Sequence, residues 1–357
     1  MTDPRPAHPR YGDGTRCTHA GLPAPVPGEP FLPGPVFAAP YHLDPVAGPA
    51  AAPQAGYGRP DNASRRRLEA AVGELEGGGC LAFASGMAAI TGALLALLRP
   101  GDTVLLPADG YYAVRSFAAD VLAGIGVQVR LAPTAGPYPD LAGVRLVLLE
   151  TPANPGLDVC DIAALAGAAR AAGALLAVDN TTATPLGQRP LELGADLVVA
   201  SGTKALTGHS DLLLGYVATR DPRLLERLTR WRDLTGAVPS PFDAWLAHRS
   251  LATLDLRLAR QSANAAAVVA ALADRPDVAG LRWPGRPGDP AYPVASRQLR
   301  RVPGVLSFTL ADAGRVGRFL TASRLVFAAT SFGGLHTTAD RRAQWGEAVA
   351  AGFVRLS

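Results

Sequence analysis

The residues best suited to chemistry lie in 198–215, VVASGTKALTGHSDLLLG, around Lys204. Lys204 is the only lysine in a chain that holds 34 lysines and arginines together. It follows an apolar run, 197–200, that reads as a buried strand with small and hydroxylated residues at its carboxyl end. Open α/β sheets place their chemistry at such strand ends. A desolvated lysine has a lowered pKa and becomes a nucleophile or forms an imine with a carbonyl. Ser201 and Thr203 set hydroxyls beside it, as a bound phosphate requires. Upstream, a second apolar run, 174–178, stops at Asp179. A carboxylate at one strand end and a lysine at the next suit pyridoxal 5′-phosphate: the carboxylate keeps the ring nitrogen protonated, and the lysine holds the aldehyde.

The elements that must position these groups follow from the pattern. Asn62 caps a helix over 62–76, which ends at the glycines 77–79. A short strand, 80–83, then leads through Ala84-Ser85-Gly86-Met87 into a helix over 88–98. A strand, a small-residue turn and a helix N-terminus form an anion site, so the backbone N–H groups of Gly86 and Met87 complete the phosphate cradle. Strands over 103–106 and 146–149 end near Tyr111 and Asn154. An aromatic ring at such an end can stack on a flat cofactor, and the Asn154 amide can bond the cofactor's phenolic oxygen. Alternating strands and helices over 80–217 argue a mostly parallel sheet with helices on both faces. A strongly helical stretch, 242–273, joins this unit to a second one with strands at 304–310 and 325–328 and a helix at 316–322.

Composition sets bounds. The formal charge of +4 comes from scattered arginines, with no basic block interleaved with aromatics, which gives nucleic-acid binding no support. Three cysteines without a CxxC pair point to a reducing cytoplasm. No apolar run approaches the roughly 18 residues of a membrane span. His209 and Asp211 lack a third ligand nearby, so no metal is expected. An NAD-binding reading fails for want of a GxGxxG after a strand.

The segment DNTTATPLGQRPLELGADLVVASGTKALTGHSD (179–211) resembles the lysine region of the cystathionine γ-synthase and γ-lyase family, the transsulfuration group of fold-type I PLP enzymes. The likeness extends in order through YGRP, ASGMAAI, ETPANP, SPFDAWLAHRSLATLDLR, SFGG and VRLS. It implies a seven-stranded, mostly parallel sheet flanked by helices, with a smaller α/β C-terminal domain. The expected divisions are an extended arm over 1–48, a PLP-binding domain over 49–238 and a small domain over 239–357, shortened at its end. It also implies a homotetramer built as a dimer of dimers, in which Tyr57 and Arg59 contact the cofactor phosphate of the adjacent subunit. Arg355 in VRLS matches the carboxylate-binding arginine, and Ser331 the serine beside the substrate. Thr330 stands where family members often carry glutamate. Where the family usually reads Tyr-Gly-Gly-Thr, this chain reads Tyr-Tyr-Ala-Val, so Tyr111 is the expected stacking residue and Tyr112 its competitor. The implied activity is cleavage of a carbon–sulfur bond, most like a cystathionine γ-lyase, with Lys204, Asp179 and Tyr111 as catalytic residues. γ-Replacement by a synthase, β-elimination, and a binding protein that has lost catalysis are the alternatives.

Overall fold

In the computed structural model, residues 11–46 and 56–357 are described. Two helices precede the first strand, α1 (Asp13–His19) and α2 (Ala63–Glu76). The Asn62 side chain accepts from the N–H groups of Ser64 and Arg65 at the start of α2, and Gly77, at φ +79°, ends it. There follow β1 (Gly79–Phe83), α3 (Gly86–Leu97), β2 (Thr103–Pro107), α4 (Tyr112–Phe117), β3 (Gln128–Ala132), β4 (Val144–Glu150), α5 (Ile162–Ala171), β5 (Leu175–Asp179), α6 (Thr184–Gly187), β6 (Leu197–Ser201) and β7 (Gly215–Thr219). They build a seven-stranded sheet in the order β1-β7-β6-β5-β4-β2-β3, in which β7 alone runs antiparallel to its neighbours. This is the mostly parallel sheet expected.

Both faces of the sheet are covered, which is why its strands read as continuous apolar runs. In β6, Leu197 and Val199 enter the core beneath α3 and α7 (Pro222–Thr235), while Val198 and Ala200 enter the core beneath α2 and α8 (Pro241–Leu251). The parallel strands deliver Pro107, Glu150, Asp179 and Ser201 to one edge, and β4 and β5 align Glu150 directly beside Asp179.

The helical stretch expected over 242–273 is two helices, α8 and α9 (Leu254–Leu272). The break has a local cause: the Ser250 carbonyl is taken by the Thr253 hydroxyl (3.2 Å) and the Arg257 guanidinium (3.0 Å). Leu254 and Leu258 of α9 pack in the large core, whereas Ala265 and Val269 pack on the second sheet, so α9 bridges the two units. Since α8 also packs in the large core, the change of core falls within α9. The second unit contains β8 (Ala279–Arg282), α10 (Tyr292–Gln298), β9 (Leu306–Thr309), α11 (Ala313–Ala322), β10 (Phe327–Ala328), β11 (Thr338–Arg341) and β12 (Phe353–Leu356). Its sheet has the order β10-β11-β12-β9-β8, antiparallel except between β10 and β11.

The N-terminal arm departs from an extended course at α1, which buries Cys17 and the following Ala20 against α2 and α9 and pairs Asp13 with Arg189. Beyond it, Phe31 and Phe37 stand exposed. Among the described residues, no helix is long and apolar enough to cross a membrane.

Candidate active site

A cavity of about 380 Å³ opens at the carboxyl edge of the large sheet and is closed on its other side by the second unit. On the sheet side, Ser85 ends the turn after β1 and caps α3, its hydroxyl accepting from Ala88 N at 3.1 Å. A Cβ on Gly86 would come within 2.6 Å of the Ser201 Cβ, so only glycine lets the start of α3 approach the end of β6 so closely. Gly86, Met87, Ser201 and Thr203 all line the cavity, as the phosphate cradle requires. The Thr203 hydroxyl is engaged within its own loop: it donates to Leu214 O at 3.2 Å and accepts from Leu214 N at 2.9 Å.

Lys204 reaches into the cavity and donates to Ser331 Oγ at 2.9 Å. Burial, followed by the nearby guanidinium groups of Arg355 and Arg342, holds its amine below the usual lysine range. Asp179 is buried at the end of β5, with its Oδ1 accepting from both the N–H (3.0 Å) and the hydroxyl of Thr181. Burial pushes the carboxyls of Asp179 and Glu150 upward, and Glu150 rises further because Asp179 stands beside it. Glu150 is a site residue that the sequence reading did not single out. Its Oε2 accepts from Tyr111 N at 2.6 Å and its Oε1 from Asn154 N at 2.8 Å, so one carboxyl fixes both positions.

Tyr111 and Tyr112 both line the cavity, with ring centroids 5.0 Å apart and edge-on at 64°. Tyr111 is the half-buried inner ring, packed against the core under α3, and Tyr112 is the exposed outer one. Arg355, on β12, is 2% exposed; it donates to Asn154 Oδ1 at 2.7 Å and to Ser331 O at 2.6 Å. Burial, then Arg342, lowers its pKa to about 10. Ser331 sits at φ +72°, a conformation that L side chains rarely adopt, and Thr330 precedes it on the cavity wall.

Tyr57 and Arg59 do not line this cavity. Both are exposed, and Arg59 bonds the Asp233 carbonyl on α7. Other cavity residues that the sequence reading passed over are Thr181, Arg342 and Trp345. Thr181 follows directly from Asp179 and had a local signal, a hydroxyl two residues past a strand end. Arg342 and Trp345 had none, since an arginine pair and a lone tryptophan resemble any surface turn.

The profile of the family described as "Cys/Met metabolism PLP-dependent enzyme" matches residues 38–347. The chain belongs to this family. It therefore depends on pyridoxal 5′-phosphate, and the closely packed Gly86–Ser201 cradle, the half-buried amine and the buried carboxylate fit that group. A Streptomyces coelicolor protein named "Putative cystathionine gamma-lyase" is 56% identical, over 97% of this chain and 89% of its own length. The cystathionine gamma-synthase of Mycobacterium tuberculosis is 38% identical, over 99% of this chain and 92% of its own. The crystal structure of a cystathionine gamma synthase from Xanthomonas oryzae, in complex with aminoacrylate and cysteine, superposes with a TM-score of 0.91 at 32% identity, over 97% of this chain and 93% of that one. The enzyme thus has the fold-type I arrangement that the resemblance implied.

Proposed function

We propose that the enzyme cleaves the γ-carbon–sulfur bond of cystathionine, taking up water and releasing cysteine, 2-oxobutanoate and ammonia. One observation carries the reading: Ser331 receives the Lys204 amine on its hydroxyl and the Arg355 guanidinium on its carbonyl. The amine-reactive group and the carboxylate anchor therefore stand on either side of one residue. An α-amino acid presents its amine and carboxylate from a single carbon and needs that juxtaposition.

When bound, the cofactor withdraws electrons from the substrate's α-carbon. Asp179 would hold the proton on its ring nitrogen; Thr181 occupies Oδ1, which leaves Oδ2 for that contact. Asn154 gives its carbonyl oxygen to Arg355, so its NH₂ would be the group that bonds the phenolic oxygen. Gly86 and Met87 would present N–H groups to the phosphate with the Ser201 hydroxyl beside them, Thr203 would join them once its hydroxyl proton turned from Leu214 O, and Tyr111 would cover the ring. Lys204, freed by the substrate amine, would take the proton from Cα, pass it to the carbon that had carried the aldehyde and, neutral again, take one from Cβ. The second loss lets the Cγ–S bond break, the bond pair leaving with sulfur. The thiolate gains a proton, with Tyr111 as the donor at hand. Arg355 binds the substrate carboxylate, and Ser331 and Thr330 flank it.

Tyr57 and Arg59 complete the phosphate site of a second copy of the chain. Their exposure outside their own cavity supports this, as do the uncovered Phe31 and Phe37 on the arm. The assembly is then a homotetramer of two dimers, working in the cytoplasm, where three free and buried thiols suit a reducing milieu. A second reading is γ-replacement on an O-acyl-homoserine, whose own side chain carries no distal amine and so asks for no carboxylate where Thr330 stands. The test loads the protein with PLP, fixes the adduct with borohydride and locates it by peptide mass, then assays two reactions. A pyridoxyl group on Lys204 and 2-oxobutanoate from L-cystathionine are expected. A replacement product from O-succinyl-L-homoserine and L-cysteine, with no keto acid from cystathionine, would put the synthase reading in its place. No adduct would indicate a binding protein.

A further inference from the structure

The wall of the cavity facing Lys204 contains a second buried guanidinium. Arg342, 5% exposed, donates to Asp340 Oδ2 at 2.6 Å and grips both oxygens of Glu347. Asp340 is itself 3% exposed, and its Oδ1 accepts from Trp345 Nε1 at 3.0 Å and from Gln344 Nε2 at 3.1 Å. The same Oδ2 lies 3.6 Å from Arg355 Nη2. Asp340 is therefore an anion within reach of the arginine assigned to the substrate carboxylate, and its tighter bond goes to Arg342. Arg342 takes the close contacts of both Asp340 and Glu347, and Arg355 has only the longer approach to Asp340, so Arg355 stays open to a ligand only while Arg342 holds Asp340.

We propose that Arg342 is a positioning residue for substrate binding: by engaging Asp340 it keeps that carboxylate from closing on Arg355, and so preserves Arg355 for the substrate's α-carboxylate. The proposal deepens the reading of Arg355 given above and rests on it. Without Arg342 the cluster carries one excess negative charge at a partly desolvated site, and an incoming carboxylate meets both competition and repulsion. A ligand with an amine and no carboxylate is indifferent to the change.

That difference supplies the test. The PLP-loaded protein is titrated with L-norleucine and, separately, with n-pentylamine, which is the same molecule without its carboxylate, and the absorbance of the bound cofactor is followed. The ratio of the two dissociation constants measures what the carboxylate contributes. Arg342→Met should cut that ratio about tenfold, through weaker L-norleucine binding alone. Asp340→Asn, which removes the competitor while keeping an oxygen acceptor, should leave the ratio unchanged or raise it. The proposal is overturned if Arg342→Met weakens both ligands alike, or leaves the ratio intact, or if Asp340→Asn lowers the ratio as much as Arg342→Met does. If Arg342→Met takes up no cofactor, the direction of the Asp340→Asn change decides alone. Arg355→Ala separates the two layers. If the ratio survives that substitution, the carboxylate does not bind at Arg355 and the assignment beneath the proposal has failed; if it collapses there yet ignores Arg342→Met, only the proposal has.

Discussion

The two walls of the cavity are built by different means. The sheet wall is made of strand ends: Glu150, Asp179 and Ser201 arrive together because parallel strands in register bring their carboxyl termini to one edge. The facing wall belongs to the smaller unit and holds its shape through side chains, with Arg342 tied to Asp340 and Glu347 and Arg355 set 3.6 Å from Asp340. Backbone register tolerates surface changes well, whereas a buried charge cluster loses several partners when one member goes. The cofactor side should therefore fail in all-or-none fashion at its few reacting groups, and the substrate side should fail by degrees in affinity.

The sharpest break of that contrast is at Lys204. Lys204→Ala should lower turnover by at least about a thousandfold and abolish borohydride-fixed pyridoxyl incorporation, with the fold unchanged by circular dichroism. A residual adduct would show an amine other than that of Lys204. On the opposite wall, Arg355→Ala should raise KM about a hundredfold while kcat falls far less, a split that steady-state kinetics read directly. An equal fall in kcat would place Arg355 with the reacting groups and erase the distinction between the walls.

Arg59→Ala tests whether the sheet wall is complete in one chain. It should weaken PLP affinity about tenfold by equilibrium dialysis. Inactive Lys204→Ala chains mixed and refolded with Arg59→Ala chains should regain activity, because some sites in the hybrid then hold both native residues. No recovery on mixing would return the phosphate site to a single chain.

The effect farthest from the cavity is expected behind the sheet, at Glu76, which is fully buried and accepts from Tyr216 OH at 2.7 Å. Burial pushes its carboxyl from 4.5 up to about 7. Between those values the folded chain keeps the proton that the unfolded chain has released, so folding takes up a proton and stability falls as pH rises through the window. Glu76→Gln should flatten that slope, leaving the variant about 1–3 kcal/mol more stable relative to the parent at pH 8 than at pH 4 in urea unfolding. Parallel slopes in both proteins would show that Glu76 stays ionised.

The sheet wall was readable from the sequence because its signals are local and periodic. An apolar run followed by a lone lysine or aspartate states both the strand and the group at its tip, and Ser85-Gly86 states a helix start. Which of Tyr111 and Tyr112 is the inner ring was not legible, since only packing under α3 decides it. The facing wall was less legible. Arg355 was found through its VRLS setting, but Asp340, Arg342 and Trp345 acquire meaning only when β11 lies beside β12 and sets Asp340 opposite Arg355. The helix α1 was missed for a related reason: its seven residues bury a single side chain, too few to print a period. The break between α8 and α9 depends on a carbonyl captured by a side chain seven residues on, which no propensity records.

The solitary lysine has a practical corollary. With every other basic side chain an arginine or histidine, the one side-chain primary amine of this protein lies inside its cavity. Amine-directed reagents, which on most proteins scatter over the surface, therefore have a single side-chain target here besides the α-amino group. Stray aldehydes, free pyridoxal among them, have no other lysine to decorate. The amount of pyridoxyl label per chain then becomes a direct census of competent sites, and any activity measured on a partly loaded preparation can be normalised to it.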